Sequence, residues 1–197
     1  HRAADAPVDL ERIDTFADGA AVGRAGDITF AVAKRHSPTM MTVPEGRICS
    51  EMLALYQTEG IITEPAGALT TASLGLFRPE PGETVVAIIS GGNNDVSRYA
   101  EIVERALVYE GRKHYFLVNF PQEPGALRRF LDDVLGPEDD ITLFEYVKRS
   151  NRETGPALVG IELGDPDSLS DLLMRLDAGP ITFEVVASDS PFYRFLV

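Results

Sequence analysis

The apolar positions of this chain fall into two successive patterns, with the change at Glu110-Gly111-Arg112-Lys113. Before it, helix-like and short strand-like stretches alternate. Asp27 to Arg35 sets Ile28, Phe30, Ala31 and Ala33 behind an acidic residue suited to capping. Met40 to Val43 reads as a short extended piece closed by Pro44. Arg47 to Gln57 places Ile48, Met52, Leu55 and Tyr56 at helical spacing and stops at Gly60. Ile61 to Thr63 reads as a short strand and Pro65 to Phe77 as a helix of small residues. Val85 to Ile89 is apolar throughout, the pattern of a parallel strand covered on both faces. Ser97 to Val108 is again amphipathic and helical.

Beyond the break the order becomes strand, helix, strand, strand, helix, strand. His114 to Phe120 is a strand, and Pro121-Gln122-Glu123-Pro124-Gly125 turns into a helix from Ala126 to Leu135. Ile141 to Lys148 and Leu158 to Leu163 form two strands joined as a hairpin through the polar loop at Asn151 to Gly155. Asp165-Pro166-Asp167-Ser168 opens a helix to Leu176, with its carboxylates at the favourable end, and Ile181 to Val186 is the last strand. That order is the ferredoxin-like βαββαβ arrangement. The fold class expected is therefore α/β: a parallel-sheet portion over 1–111, then a ferredoxin-like unit over 112–197. In the first strand of that unit Phe116, Val118 and Phe120 share one face, with Tyr115 and Leu117 on the other. Both helices cover one side, so the second face is expected to associate with another copy.

Composition narrows the partners. The net charge of -13 is spread over both halves, with no basic stripe, which disfavours nucleic acid and anionic membrane surfaces. No apolar run approaches a membrane span, and His1-Arg2-Ala3-Ala4 leads into Asp5 rather than a signal-like stretch. The single cysteine, Cys49, rules out an internal disulfide framework and suits a reducing compartment, so a cytoplasmic location is expected. Its place in an amphipathic helix marks it as a small buried hydrophobe. His36 and His114 have no partners at metal-ligand spacing, no metal is expected, and no Ser/His/Asp or Cys/His arrangement can be assembled.

Four stretches carry candidate chemistry. Ser90-Gly91-Gly92-Asn93 ends the Val85 strand, where α/β sheets place ligands; the same residues also suit a tight strand-to-helix turn. Glu64-Pro65-Ala66-Gly67-Ala68 sets a carboxylate before small residues that admit a flat ligand, or else Glu64 is an exposed residue capping the Pro65 helix. Asp18 to Gly23 reads as a ligand loop or, more simply, a turn. Asn119 to Leu127 runs from a strand through a Pro/Gly turn into a helix N-terminus, whose free N–H groups suit the carboxylate of a free amino acid. The three lysines, Lys34, Lys113 and Lys148, do not follow a Ser-x pair, and no long glycine run is present.

Together these stretches resemble one family. DTFADGAAV (Asp14 to Val22), GDITF (Gly26 to Phe30), EPAGA (Glu64 to Ala68) and ISGGNND (Ile89 to Asp95) are similar to the C-terminal part of the catalytic domain of biosynthetic threonine dehydratases (threonine ammonia-lyases), fold-type II pyridoxal-phosphate enzymes. NFPQEPGALRRFL (Asn119 to Leu131), ITLFEY (Ile141 to Tyr146) and SPFYRFLV (Ser190 to Val197) resemble the ACT-like regulatory domain of the same family. The family's Schiff-base lysine and its phosphate-holding glycine loop belong to the N-terminal half and have no counterpart here. The resemblance therefore implies a C-terminal portion of the enzyme, inactive alone and partnered by the missing half. A single ACT-like unit points to the shorter form.

Carried over by position, the resemblance implies that Ser90 meets the pyridine nitrogen of pyridoxal 5'-phosphate. It puts Glu64 near the ring edge and has Gly91, Gly92 and Asn93 shape the same wall. The implied reaction is L-threonine to 2-oxobutanoate and ammonia, the first step toward isoleucine. Feedback inhibition by isoleucine, relieved by valine, is implied in a groove of Asn119, Gln122, Gly125, Ala126 and Leu127, with Phe144 and Tyr146 from the second strand. A homo-oligomer, dimer or tetramer, is implied as well. The alternatives are a catalytically silent amino-acid-binding module and, less favoured without a GxGxxG unit or Walker-type lysine, a nucleotide-binding α/β protein.

Overall fold

The structure is a computed structural model that describes residues 4–148, 152–187 and 190–196. The expected N-terminal His1-Arg2-Ala3, the start of the hairpin loop at Asn151 and the final Val197 lie outside them. The chain divides into two compact units, His1–Val103 and Glu104–Val197.

The first unit is built on helices. α1 spans Asp27–His36, α2 Glu45–Ala54 and α3 Pro65–Ser73. α2 continues through a π-helical turn, Leu55–Glu59, and closes on Gly60 at φ 67, a left-handed conformation that favours glycine. Ile48, Cys49 and Met52 of α2 and Gly67, Ala68 and Ala72 of α3 are buried. The small side chains of α3 let α2 come close, and Arg47 Nε donates to the Ala72 carbonyl at 2.6 Å. Cys49 is fully buried, as its helical setting predicts.

Two expected strands of this unit, Ile61–Thr63 and Val85–Ile89, are not strands: neither has ladder pairing among the described residues, and the short piece at Met40–Val43 has none either. Val86 is 82% exposed and Ile88 69%. An apolar sequence specifies a buried strand only when neighbouring strands supply hydrogen bonds and cover. Here the segment is held by isolated bonds, among them Thr70 Oγ1 donating to the Ile88 carbonyl at 2.6 Å. α3 also ends earlier than expected, at Ser73 rather than Phe77. α1 buries no side chain, and Ile28 is 82% exposed.

α4, Tyr99–Tyr109, carries the chain into the second unit. There β1 (Lys113–Pro121), α5 (Ala126–Val134), β2 (Asp140–Tyr146), β3 (Thr154–Glu162), α6 (Leu169–Ala178) and β4 (Thr182–Val185) follow in the expected order. The sheet is antiparallel with order β2-β3-β1-β4, the ferredoxin-like arrangement. β1 and β3 pair from Lys113↔Glu162 to Pro121↔Thr154, and β2 bulges against β3 between Ile141 and Leu143. Phe116, Val118 and Phe120 join Ala157, Val159 and Ile161 and the buried faces of α5 and α6 (Phe130, Val134, Leu172, Leu176) in one core. Each buried Val, Leu, Ile or Phe side chain among them contributes about 1.5–3 kcal/mol. Asp165 caps the helical entry before α6, accepting from the Asp167 amide at 3.0 Å.

The second face of the sheet is less open than the sequence predicts. Tyr115 is only 4% exposed. Its ring lies over Gly160, where a Cβ would meet Tyr115 Cε1 at 2.9 Å, and it makes an edge contact with Tyr193 at 6.1 Å. Its hydroxyl donates to Glu104 Oε1 at 2.6 Å, while Glu104 Oε2 accepts from the buried Lys113 ammonium. Burial and the adjacent Glu104 carboxylate push the Tyr115 hydroxyl far above its ordinary range. Leu117, two residues on, remains 37% exposed.

Candidate functional site

In the first unit, two loops meet backbone to backbone. The Glu64 amide donates to the Gly91 carbonyl at 3.0 Å. A Cβ on Gly67 would collide with that same carbonyl, one on Gly91 with the Glu64 carboxylate, and one on Gly92 with the Ile62 carbonyl at 2.9 Å. Close approach of backbone requires glycine at Gly67 and Gly92, whereas at Gly91 the contact is with the flexible Glu64 side chain. Asn94 Nδ2 donates to the Thr63 carbonyl at 3.1 Å, fastening the segment beyond the glycines to the residue before Glu64. Glu64 itself stands at the N-cap of α3, with Pro65 in the first turn, and makes no side-chain cap bond.

Four of the five expected wall residues are thus drawn together: Glu64, Ser90, Gly91 and Gly92 lie on the two touching loops. Asn93 lines an adjoining polar cavity of about 340 Å³ with Asp18, Pro65, Asn94, Asp95 and Arg98. The turn at Asp18–Ala20 reaches the same place, since a Cβ on Gly19 would meet Glu64 Oε1 at 3.0 Å. The exposed Ser90 hydroxyl makes no hydrogen bond among the described residues. Two contributors escaped sequence reasoning. Arg98 stacks over the Phe16 ring at 5.2 Å and donates to the Phe16 carbonyl at 3.1 Å. Thr63 Oγ1 is buried without a hydrogen-bond partner. Asp95 accepts from the Ser97 amide at 2.9 Å, and that bond holds its carboxyl below the usual range.

In the second unit, the turn from β1 into α5 borders a groove of about 250 Å³. Gln122, Gly125, Ala126, Leu127, Phe144 and Tyr146 all line it, together with Phe120, Glu123 and Lys148. Its floor is aromatic: Phe120 meets Phe144 edge-on at 5.8 Å and Tyr146 at 6.0 Å. Gly125 adopts φ 83 as N-cap of α5. Gln122 spends its amide protons on the Arg152 and Thr154 carbonyls, at 2.9 and 3.0 Å, so it shapes the groove by holding the β3 end. Asn119 is not brought to the groove. It is exposed and donates to Thr182 Oγ1 of β4 at 3.0 Å, because strand residues alternate faces and Phe120 takes the groove side. His114, read as structural, donates from Nε2 to the Gly111 carbonyl at 2.8 Å.

The arrangement in the first unit, a hydroxyl and close-packed glycines at one end of a helix of small residues, suits one edge of a flat heterocycle, and residues 1–91 match the family of pyridoxal-phosphate dependent enzymes. Residues 104–196 match the C-terminal regulatory domain of threonine dehydratase. In both matched segments the chain is similar to threonine dehydratases. It is 62% identical over 197 residues to the L-threonine dehydratase biosynthetic IlvA of Mycobacterium bovis, covering 99% of this chain and 46% of the relative. The enzymes of the same name from Corynebacterium glutamicum and Bacillus subtilis are 56% and 47% identical, each over 96% of this chain and covering 44% and 45% of their own lengths. The chain therefore spans somewhat under half the length of the curated relatives it matches. Among the described residues, no helix is long and apolar enough to cross a membrane.

Proposed function

We propose that this chain is the C-terminal portion of a cytoplasmic, pyridoxal-phosphate-dependent threonine dehydratase. Residues 1–111 supply one wall of the catalytic site and 112–197 form the ACT-like domain that senses isoleucine and valine. The observation that carries the reading is the seating of Gly91 on the Glu64–Gly67 turn beside an unpartnered Ser90 hydroxyl. That cradle suits the ring edge of the cofactor: its glycines add no side chain, and the Ser90 hydroxyl makes no hydrogen bond among the described residues. Pyridoxal phosphate supplies the electron-accepting ring for bonds broken at the substrate's α carbon.

Ser90 holds the hydrogen bond at the ring nitrogen. A neutral hydroxyl there leaves the nitrogen less fully protonated than a carboxylate would, which suits loss of a β-hydroxyl over transamination. Glu64 sets negative charge near the ring edge, Gly91 and Gly92 admit the ring, and Asn93 completes the wall. The lysine that bonds the cofactor belongs to the N-terminal half, so this chain alone turns over no threonine. Gln122, Gly125, Ala126, Leu127, Phe144 and Tyr146 form the effector groove, with Asn119 on the neighbouring strand face. The enzyme works as a homo-oligomer, dimer or tetramer, joined in part through the exposed sheet residues around Leu117.

In the full-length enzyme, Ser90→Ala removes one hydrogen bond worth about 1–2 kcal/mol and lowers kcat/KM by roughly tenfold. Unchanged kcat/KM would remove Ser90 from the cofactor's surroundings.

A further inference from the structure

The effector groove carries two charged side chains, and they stand differently. Glu123 is already neutralised by Arg129. Lys148, two residues past the end of β2, makes no hydrogen bond or ion pair among the described residues. It stands on the rim of a groove whose floor is Phe120, Phe144 and Tyr146. An apolar floor with one uncommitted cation at its edge is a two-part receptor, taking a hydrocarbon side chain below and an anion above. In a chain of net charge -13, a cation left without a carboxylate is a strong discriminator: an uncharged or amine-only ligand gains nothing from it, and a carboxylate does.

We propose that Lys148 is the specificity-determining residue of this groove, pairing with the carboxylate of an aliphatic amino acid and rejecting analogues that lack it. The assignment rests on reading the groove as the effector site. The zwitterion's ammonium is repelled by the same lysine and turns away from it, so one side chain sets the direction of the ligand. Lys148 also explains how a shallow, aromatic groove selects free amino acids over apolar molecules of equal size.

The test is calorimetry on the full-length enzyme with two probes, isoleucine and isoleucinamide, for the wild type, Lys148→Met and Lys148→Arg. Lys148→Met keeps the aliphatic stem and removes the charge. It should weaken isoleucine about threefold to fivefold, the range of one solvent-exposed charge contact, and should not weaken isoleucinamide, whose ammonium the lysine repels. Lys148→Arg should restore isoleucine binding. Raising the salt concentration should weaken isoleucine in the wild type and not in Lys148→Met. Equal isoleucine affinity in wild type and Lys148→Met, or equal losses for both probes, would overturn the role of Lys148. Failure of the wild type to bind isoleucine at all would instead overturn the effector groove, and the lysine's role with it.

Discussion

The two units of this chain contain equally apolar strand sequences with opposite fates. In the second, HYFLVNF becomes β1 at the centre of a four-stranded sheet, with Phe116 fully buried. In the first, TVVAIIS joins no ladder among the described residues and is largely solvent-exposed, with Val86 82% open to water. β1 has β3 on one side, β4 on the other and two helices above; the Val85–Ile89 segment has a few side-chain and backbone tethers. Hydrophobic alternation or continuity says that a segment can be buried, and the rest of the sheet decides whether it is.

That contrast can be broken most directly by truncation of one side chain in each segment. Phe116→Ala should cost about 3–5 kcal/mol and unfold the regulatory unit in a denaturant titration followed by circular dichroism. Val86→Ala in this chain should stay within about 0.5 kcal/mol. A comparable loss at both positions would mean that Val86 is covered in solution. Next in size is Gly67→Ala, whose Cβ meets the Gly91 carbonyl. It should cost about 1–3 kcal/mol and speed hydrogen exchange at the Glu64 amide, since backbone cannot move aside as a flexible side chain can. Unaltered exchange would show that the two loops part at no cost.

The smallest effect sharpens the comparison within the regulatory sheet. The hydroxyl of Tyr115 is raised far above its ordinary value in the fold, so the native state keeps a proton that the unfolded chain releases above about pH 10. The contribution of this group is fully present below that pH and is lost as the pH rises further. Tyr115→Phe should give up about 1 kcal/mol at neutral pH, for the bond to Glu104, and should flatten the alkaline fall in stability. A variant with the wild-type slope would assign that fall to other groups.

The regulatory unit was legible in the sequence because its cues are local. A period of two in β1, helical spacing in α5 and α6, and Asp165 before α6 each act within a few residues. The candidate wall in the first unit was proposed only through resemblance: Glu64 and Gly91 are 27 positions apart, and nothing in spacing announces that their backbones touch. Asn119 was drawn into the groove with its neighbours because a motif is read as a string, whereas a strand sends consecutive side chains to opposite faces. Tyr115 was expected on an open face because its cover, Glu104 and Tyr193, comes from outside the four strands. Lys148 had no local signature, being one lysine just past the end of a strand.

At Gly75, the space a side chain would fill is already occupied by the guanidinium of Arg47, which reaches past it to the Ala72 carbonyl. The two positions are joined in space, and a record of that contact is expected in inheritance. A lineage that acquires alanine at 75 must first surrender or reroute the arginine at 47, and lineages that keep the arginine should keep the glycine. Pairwise drift at these sites across descendants would record a contact that neither residue type reveals by itself.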